Sequence, residues 1–124
     1  MKSIIQNKKQ CYICRRSTGL HDHHIFFGTA KRKISEANGF KVWLCYIHHE
    51  GTIGVHGRDG HELDKYLKQT CQKKYEETHS REEFIRLIGK NYIEEEWIME
   101  KIIITLIICV TLIIIYLIDK MGKK

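Results

Sequence analysis

Leu44-Cys45-Tyr46-Ile47-His48-His49 is the stretch on which the reading of this chain turns. Cys45 and His48 have the spacing of one half of a structural zinc clip, and Cys11-Tyr12-Ile13-Cys14 supplies the other half. Thiolates and a neutral imidazole are ligands that zinc favours, and four of them close a site on itself as a structural element. Two dyads, each bent around a two-residue turn and set roughly thirty residues apart, predict one zinc held by Cys11, Cys14, Cys45 and His48. The competing reading is four Cys and His side chains that merely pack. His49 follows at once and is left for another task, on a support that a bound metal would make rigid.

The composition fits a small metal-braced domain. At 124 residues the chain is one small domain, or one domain with an appendage, and such domains often need a metal to supplement a thin core. Five cysteines are present, an odd number. Met1 to Gln10 is polar and lysine-rich, with none of the apolar stretch of a secretory signal. A reducing compartment is therefore expected, where cysteines more often hold metal than form disulfides. Cys71 and Cys109 are expected as buried fillers. The net charge of +6 is uneven: residues 1 to 75 carry fourteen Lys/Arg against six Asp/Glu, and residues 76 to 119 carry four against nine. A basic first half is the footprint of a phosphate-backbone binder, although basic domains without nucleic-acid partners are also common.

Outward from the two dyads, Leu20 to Phe27 (LHDHHIFF) reads as a strand with three histidines in four residues. Phe40 to Cys45 (FKVWLC) alternates and is rich in β formers, which makes it the returning strand of a hairpin. The connection Gly28 to Gly39 is expected as a polar, basic loop with an Asn38-Gly39 turn. Its Lys31, Arg32 and Lys33 either contact phosphate or form a solvated loop. Glu50 to Gly60 is glycine-rich and carries His56 and Arg58, with glycines that let backbone approach a ligand closely.

Downstream, His61 to Thr78 shows apolar residues at three- and four-residue spacing, as a helix requires. Ser80-Arg81-Glu82-Glu83 is a capping box that opens a second, shorter helix, and Gly89 is placed to stop it. Ile102 to Ile118 then runs for seventeen residues without a charge. A spanning helix needs about twenty apolar residues, with a range of about 17–25. Trp97 and Tyr116 near its ends, bracketed by Lys101 and Lys120, suit a membrane interface. The alternative is a buried or oligomerising helix. The expected organisation is a flexible basic arm over 1–10, a catalytic or binding domain over 11–94, and a C-terminal helix over 95–124 with a single membrane span at 102–118.

Cys11 to Cys14, His23-His24-Ile25, Leu44-Cys45-x-x-His48-His49 and Gly54-Val55-His56 together resemble the HNH (His-Me finger, ββα-metal) endonucleases. The similarity is greatest to phage nucleases of the RecA-dependent, recombination-enhancing type, and it runs from about residue 9 to about residue 93. The resemblance implies an α+β fold: a small zinc-braced ββα-metal core with following helices, to which this chain adds the apolar C-terminal helix. It implies a metal-dependent endonuclease that hydrolyses DNA with little sequence preference, with His24 as general base and His23 and His49 as ligands of one divalent ion. His56 would be a further ligand or a phosphate contact, and Lys31, Arg32, Lys33 and Arg58 would meet nucleic acid. DNA, and a recombinase filament, are the partners it implies. An imidazole-rich site should take Mn2+, Ni2+ or Zn2+ in preference to Mg2+. A cytoplasmic nuclease domain tethered to a membrane is the expected placement.

Two features depart from the family pattern. Only Asn38 can stand for the Asn of the family name. Adjacent strand residues also point to opposite faces, so His23 and His24 share a site only where the strand bends or ends; His21 or Asp22 would otherwise replace one of them. A zinc-stabilised nucleic-acid-binding module without catalysis is the alternative function.

Overall fold

A computed structural model describes residues 1–93 and 96–122, of which residues 96–98 are described for their backbone alone. The chain divides into a unit of residues 1–93 and a second formed by the C-terminal helix. The first is a mixed α+β unit built on a two-stranded antiparallel sheet, β1 (Leu20–His24) and β2 (Lys41–Cys45). Helix α1 (Thr29–Asn38) joins the strands, and α2 (Tyr46–His49) follows β2 without a break. Helices α3 (His61–Tyr75) and α4 (Arg81–Ile88) complete the unit.

Strand register decides what each face carries. Leu20 pairs with Cys45, Asp22 with Trp43 and His24 with Lys41, while His21 pairs with Leu44 and His23 with Val42. Directly opposed residues share a face, so His21 and His23 lie on the side of the buried Val42 and Leu44, and His24 lies on the other side. The core continues from that apolar side into the aromatic side chains Phe26, Phe40 and Phe84, whose ring centroids are 5.6–6.2 Å apart. Leu67 and Cys71 of α3 and Ile88 of α4 close it. Cys71 is thus the buried filler that the sequence suggested. The anticipated capping box is present: Ser80 Oγ accepts from Glu83 N–H, and the Glu83 carboxylate accepts from Ser80 N–H. Gly89 ends α4 in the left-handed conformation.

Two expectations are corrected here. The Gly28–Gly39 connection is a helix, not a loop. Ile34 packs against the core, Ala30 and Ala37 are exposed, and the buried Ser35 ties the helix to the segment after β1 by donating to Phe26 O at 2.7 Å. Residues 1–10 do not stand away as an arm but lie on the fold. Ile4 and Ile5 pack against the core, Ile4 N–H donates to Gly39 O, and Gln6 Oε1 accepts from Trp43 N–H.

Gly39 makes that contact feasible. It has φ +70°, and a Cβ there would lie 2.2 Å from the Lys2 carbonyl oxygen. Gly39→Ala should therefore destabilise the unit by about 1–3 kcal/mol, read as a lowered urea midpoint at saturating zinc.

The second unit is α5 (Glu96–Gly122). Its stretch Met99–Gly122 is long and apolar enough to cross a membrane, at about 36 Å for 24 residues against a hydrocarbon core of about 30 Å. The two hydroxyls near its middle are satisfied internally, Thr105 donating to Lys101 O and Thr111 to Ile108 O, each at 2.8 Å. Apolar surroundings require that kind of satisfaction. Cys109 is exposed on this helix, which corrects its expected burial. Tyr116 also lies exposed on it, whereas the Trp97 side chain and the boundary expected at residues 94–95 fall outside the described residues.

Candidate metal centres

Cys11, Cys14, Cys45 and His48 come together as the spacing implied. Cys14 Sγ lies 3.7 Å from Cys45 Sγ, and His48 Nδ1 lies 3.6 Å from Cys11 Sγ and 3.3 Å from Cys45 Sγ. A tetrahedral zinc with bonds of about 2.3 Å to sulfur and about 2.0–2.1 Å to nitrogen would space its ligands about 3.8 Å (S to S) and about 3.5 Å (S to N) apart. The observed edges match that tetrahedron, and all four donor atoms fall within 4.8 Å of one another. The first dyad is shaped by Arg15, the sole non-glycine residue at positive φ (66°) among the described residues, and by Cys11 N–H donating to Arg16 O at 2.7 Å. Tyr12 N–H donating to Trp43 O docks this turn on β2. Burial pushes the Cys11 thiol up, but the backbone N–H groups of Cys14, Cys45 and Ile13 outweigh it and bring it down to about 6. Cys11 is therefore largely thiolate at neutral pH, the form that binds metal. A metal such as zinc suits this Cys3His cluster.

A second cluster forms from His23, His49 and His56, each offering one ring nitrogen within 4.8 Å of the others. Their ring centroids are 4.9–5.2 Å apart. Three elements bring them together. β1 places His23 inward, with 3% of its surface exposed. The four-residue helix α2 places His48 and His49 about 100° apart, so neighbours in sequence serve two different clusters. The glycine-rich segment then folds back so that Val55 N–H donates to His48 O and His56 N–H to His49 O, each at 3.0 Å. Gly60 allows the return, since a Cβ there would lie 1.7 Å from Gly54 O.

The electrostatics of this cluster favour a cation between the rings. His23 Nε2 and His49 Nδ1 are buried without a hydrogen-bond partner; Glu50 Oε1 is 3.0 Å from His49 Nδ1 but outside hydrogen-bond geometry. Unpaired buried polar atoms cost free energy, and a metal ion held by the three imidazoles would offset part of that cost. Burial first, then the neighbouring His49 and His56, lower the His23 imidazole to about 3, which keeps it neutral and able to donate a lone pair. Burial also lowers His49, against the opposing Glu50 carboxylate. The residues present therefore fit a divalent ion.

His24 does not join this triad. Its ring turns to the other face of β1, where Nε2 lies 2.9 Å from Glu36 Oε2 and 15% of the side chain remains exposed. Glu36 also accepts from Lys41 at 3.0 Å, and Lys41 reaches Asp22 at 3.3 Å. The expectation that His23 and His24 converge on one groove is thus corrected by strand alternation. His21, on the triad's face, is the ring that does approach, 5.0 Å from His49. Asn38 caps its own helix by donating to Ile34 O and takes no part in either cluster.

The expected nucleic-acid residues are dispersed. Arg32 and Lys33 are exposed and Lys31 is half-buried, and successive residues of a helix fan apart by about 100°, so the three do not share one face. Arg58 is exposed but spent on Asp59, with Nε to Oδ1 at 3.1 Å and Nη2 to Oδ2 at 3.2 Å. Glu36, the partner of His24, was missed from sequence because it stands in a stretch read as a basic loop. No family model, curated protein or solved structure matches the chain.

Proposed function

We propose that this protein is a metal-dependent endonuclease of the HNH type that hydrolyses DNA phosphodiester bonds and is tethered to a membrane by α5. The observation that carries the reading is the His23–His49–His56 triad with its two unpaired buried nitrogens, set beside a separate Cys3His cluster. A zinc-braced binding module needs only the second of these. A divalent ion in the triad would supply charge stabilisation to a phosphodiester and its departing oxygen. The triad imidazoles would hold that ion, and a zinc in the Cys3His cluster would brace α2 and therefore His49.

His21 is the general base in this account: strand alternation puts it on the triad's face, with its ring centroid 5.0 Å from that of His49. A neutral imidazole there keeps one ring nitrogen with a free lone pair, which takes a proton from the attacking water. The basic first half of the chain supports attraction of a polyanion, and α5 is the basis for the tether.

Full-length protein in detergent micelles should convert supercoiled plasmid to nicked and linear forms when Mn2+ is added. His21→Ala should slow this about 10²–10⁴-fold, and His24→Ala, on the other face of β1, less than about threefold, with metal content unchanged in both. Cleavage by His21→Ala at the parental rate would refute the assigned base. Absence of any metal-dependent cleavage by the parent protein would refute the reading itself.

A further inference from the structure

Phe27 has no part in the core or in either metal cluster, although its neighbour Phe26 is fully buried. It follows the bend at Ile25–Phe26 that ends β1, and 47% of its surface is exposed. It stands at the edge of the triad, its ring centroid 5.3 Å from His56 and 6.4 Å from His23. Lys68 of α3 places its ammonium 4.8 Å from the ring centroid, on one face. That ammonium is held by Asp64 Oδ2 at 2.5 Å and also lies 5.7 Å from the Tyr92 ring. Among the described aromatic side chains, Phe27 combines this exposure with contact to the triad.

We infer that Phe27 is a stacking platform for an unpaired nucleobase next to the scissile phosphate, so that the site takes single-stranded or locally unpaired DNA. This rests on the reading of the triad as a phosphodiesterase site. An exposed phenyl ring beside a phosphate-binding centre stacks on any base whose face is free, because every base has a π-face. Within an intact duplex both faces of a base are already stacked, and side chains reach only its edges. Lys68 against one face leaves the exposed part of the ring for the base, and its charge adds to the attraction of the strand.

The test is binding without cleavage, using full-length protein in micelles with structural zinc but no added Mn2+. A labelled single-stranded oligodeoxynucleotide and the corresponding duplex are the two probes. Phe27→Ala should weaken binding of the single strand about 5- to 100-fold and binding of the duplex less than about twofold. Phe27→Tyr should restore the single-strand affinity. Zinc content and the far-ultraviolet circular dichroism of each variant establish that it is folded. Equal losses on both probes, or no loss on either, would overturn the platform while leaving the phosphodiesterase reading in place. A parent protein that binds neither probe would overturn both.

Discussion

Replacing Cys45 with serine is expected to leave residues 1–93 without a stable fold at 25 °C. Cys45 is buried at the end of β2, opposite Leu20, and its sulfur meets both Cys14 and His48. Losing it opens the clip on both sides, and the hydroxyl of serine is a far weaker ligand than a thiolate. Structural zinc contributes apparent binding free energies of about 10–16 kcal/mol in small domains, comparable to or larger than the whole stability of about 5–15 kcal/mol expected of a domain this size. The core cannot offset that loss, because it rests on a two-stranded sheet and short helices. Loss of near-ultraviolet circular dichroism and of bound zinc would report the effect. Chelation of zinc from the parent protein should reproduce it. Cys71→Ser provides the contrast: Cys71 is equally buried but takes no part in the zinc cluster, so that variant should be destabilised yet keep its zinc.

The second large effect is expected from His49→Ala, and it is of a different kind. Cleavage should fall by at least about 10³-fold while the zinc and the fold remain. His49 follows His48 directly but turns to the other cluster, so its ring can be removed without touching a zinc ligand. The truncation also removes a buried nitrogen that lacks a hydrogen-bond partner, which limits the stability cost. Its measurable signature is separation of the two metals: one zinc per chain retained, and the manganese affinity of the triad lost. A variant that unfolds along with its loss of activity would mean that His49 serves the structural cluster instead.

The metal clusters were the most legible part of the sequence, because ligand chemistry and short-range spacing are local properties. Cys-x-x-Cys and Cys-x-x-His dictate turns of a definite size, and those turns appear at Cys11–Cys14 and Cys45–His48. The helices after Gly60 and the Ser80 cap were equally readable from apolar period and side-chain capping. The α1 helix was hidden by its composition. Lys31, Arg32, Lys33 and the Asn38-Gly39 pair suggested a loop, and Ile34, the one apolar side chain of the helix that packs against the core, could not outweigh them. The packing of Ile4 and Ile5 depends on Gly39, a contact across more than thirty residues that no local pattern encodes.

The placement of His24 shows how far local rules reach. Strand alternation alone was enough to raise the conflict between two adjacent histidines, and it decided which of them entered the triad. It could not supply Glu36, which reaches His24 only because α1 is helical. Phe27 marks where the rule stops: Ile25 and Phe26, in the bend after β1, are adjacent and both buried, and the ring that follows them is exposed.

Anomalous diffraction from crystals of the full chain, prepared with zinc and soaked in Mn2+, tests the two-centre account most directly. Data at the zinc and manganese absorption edges should place zinc among Cys11, Cys14, Cys45 and His48, and manganese among His23, His49 and His56. A zinc peak at the knuckle with no manganese between the three imidazoles, under millimolar Mn2+, would contradict the account.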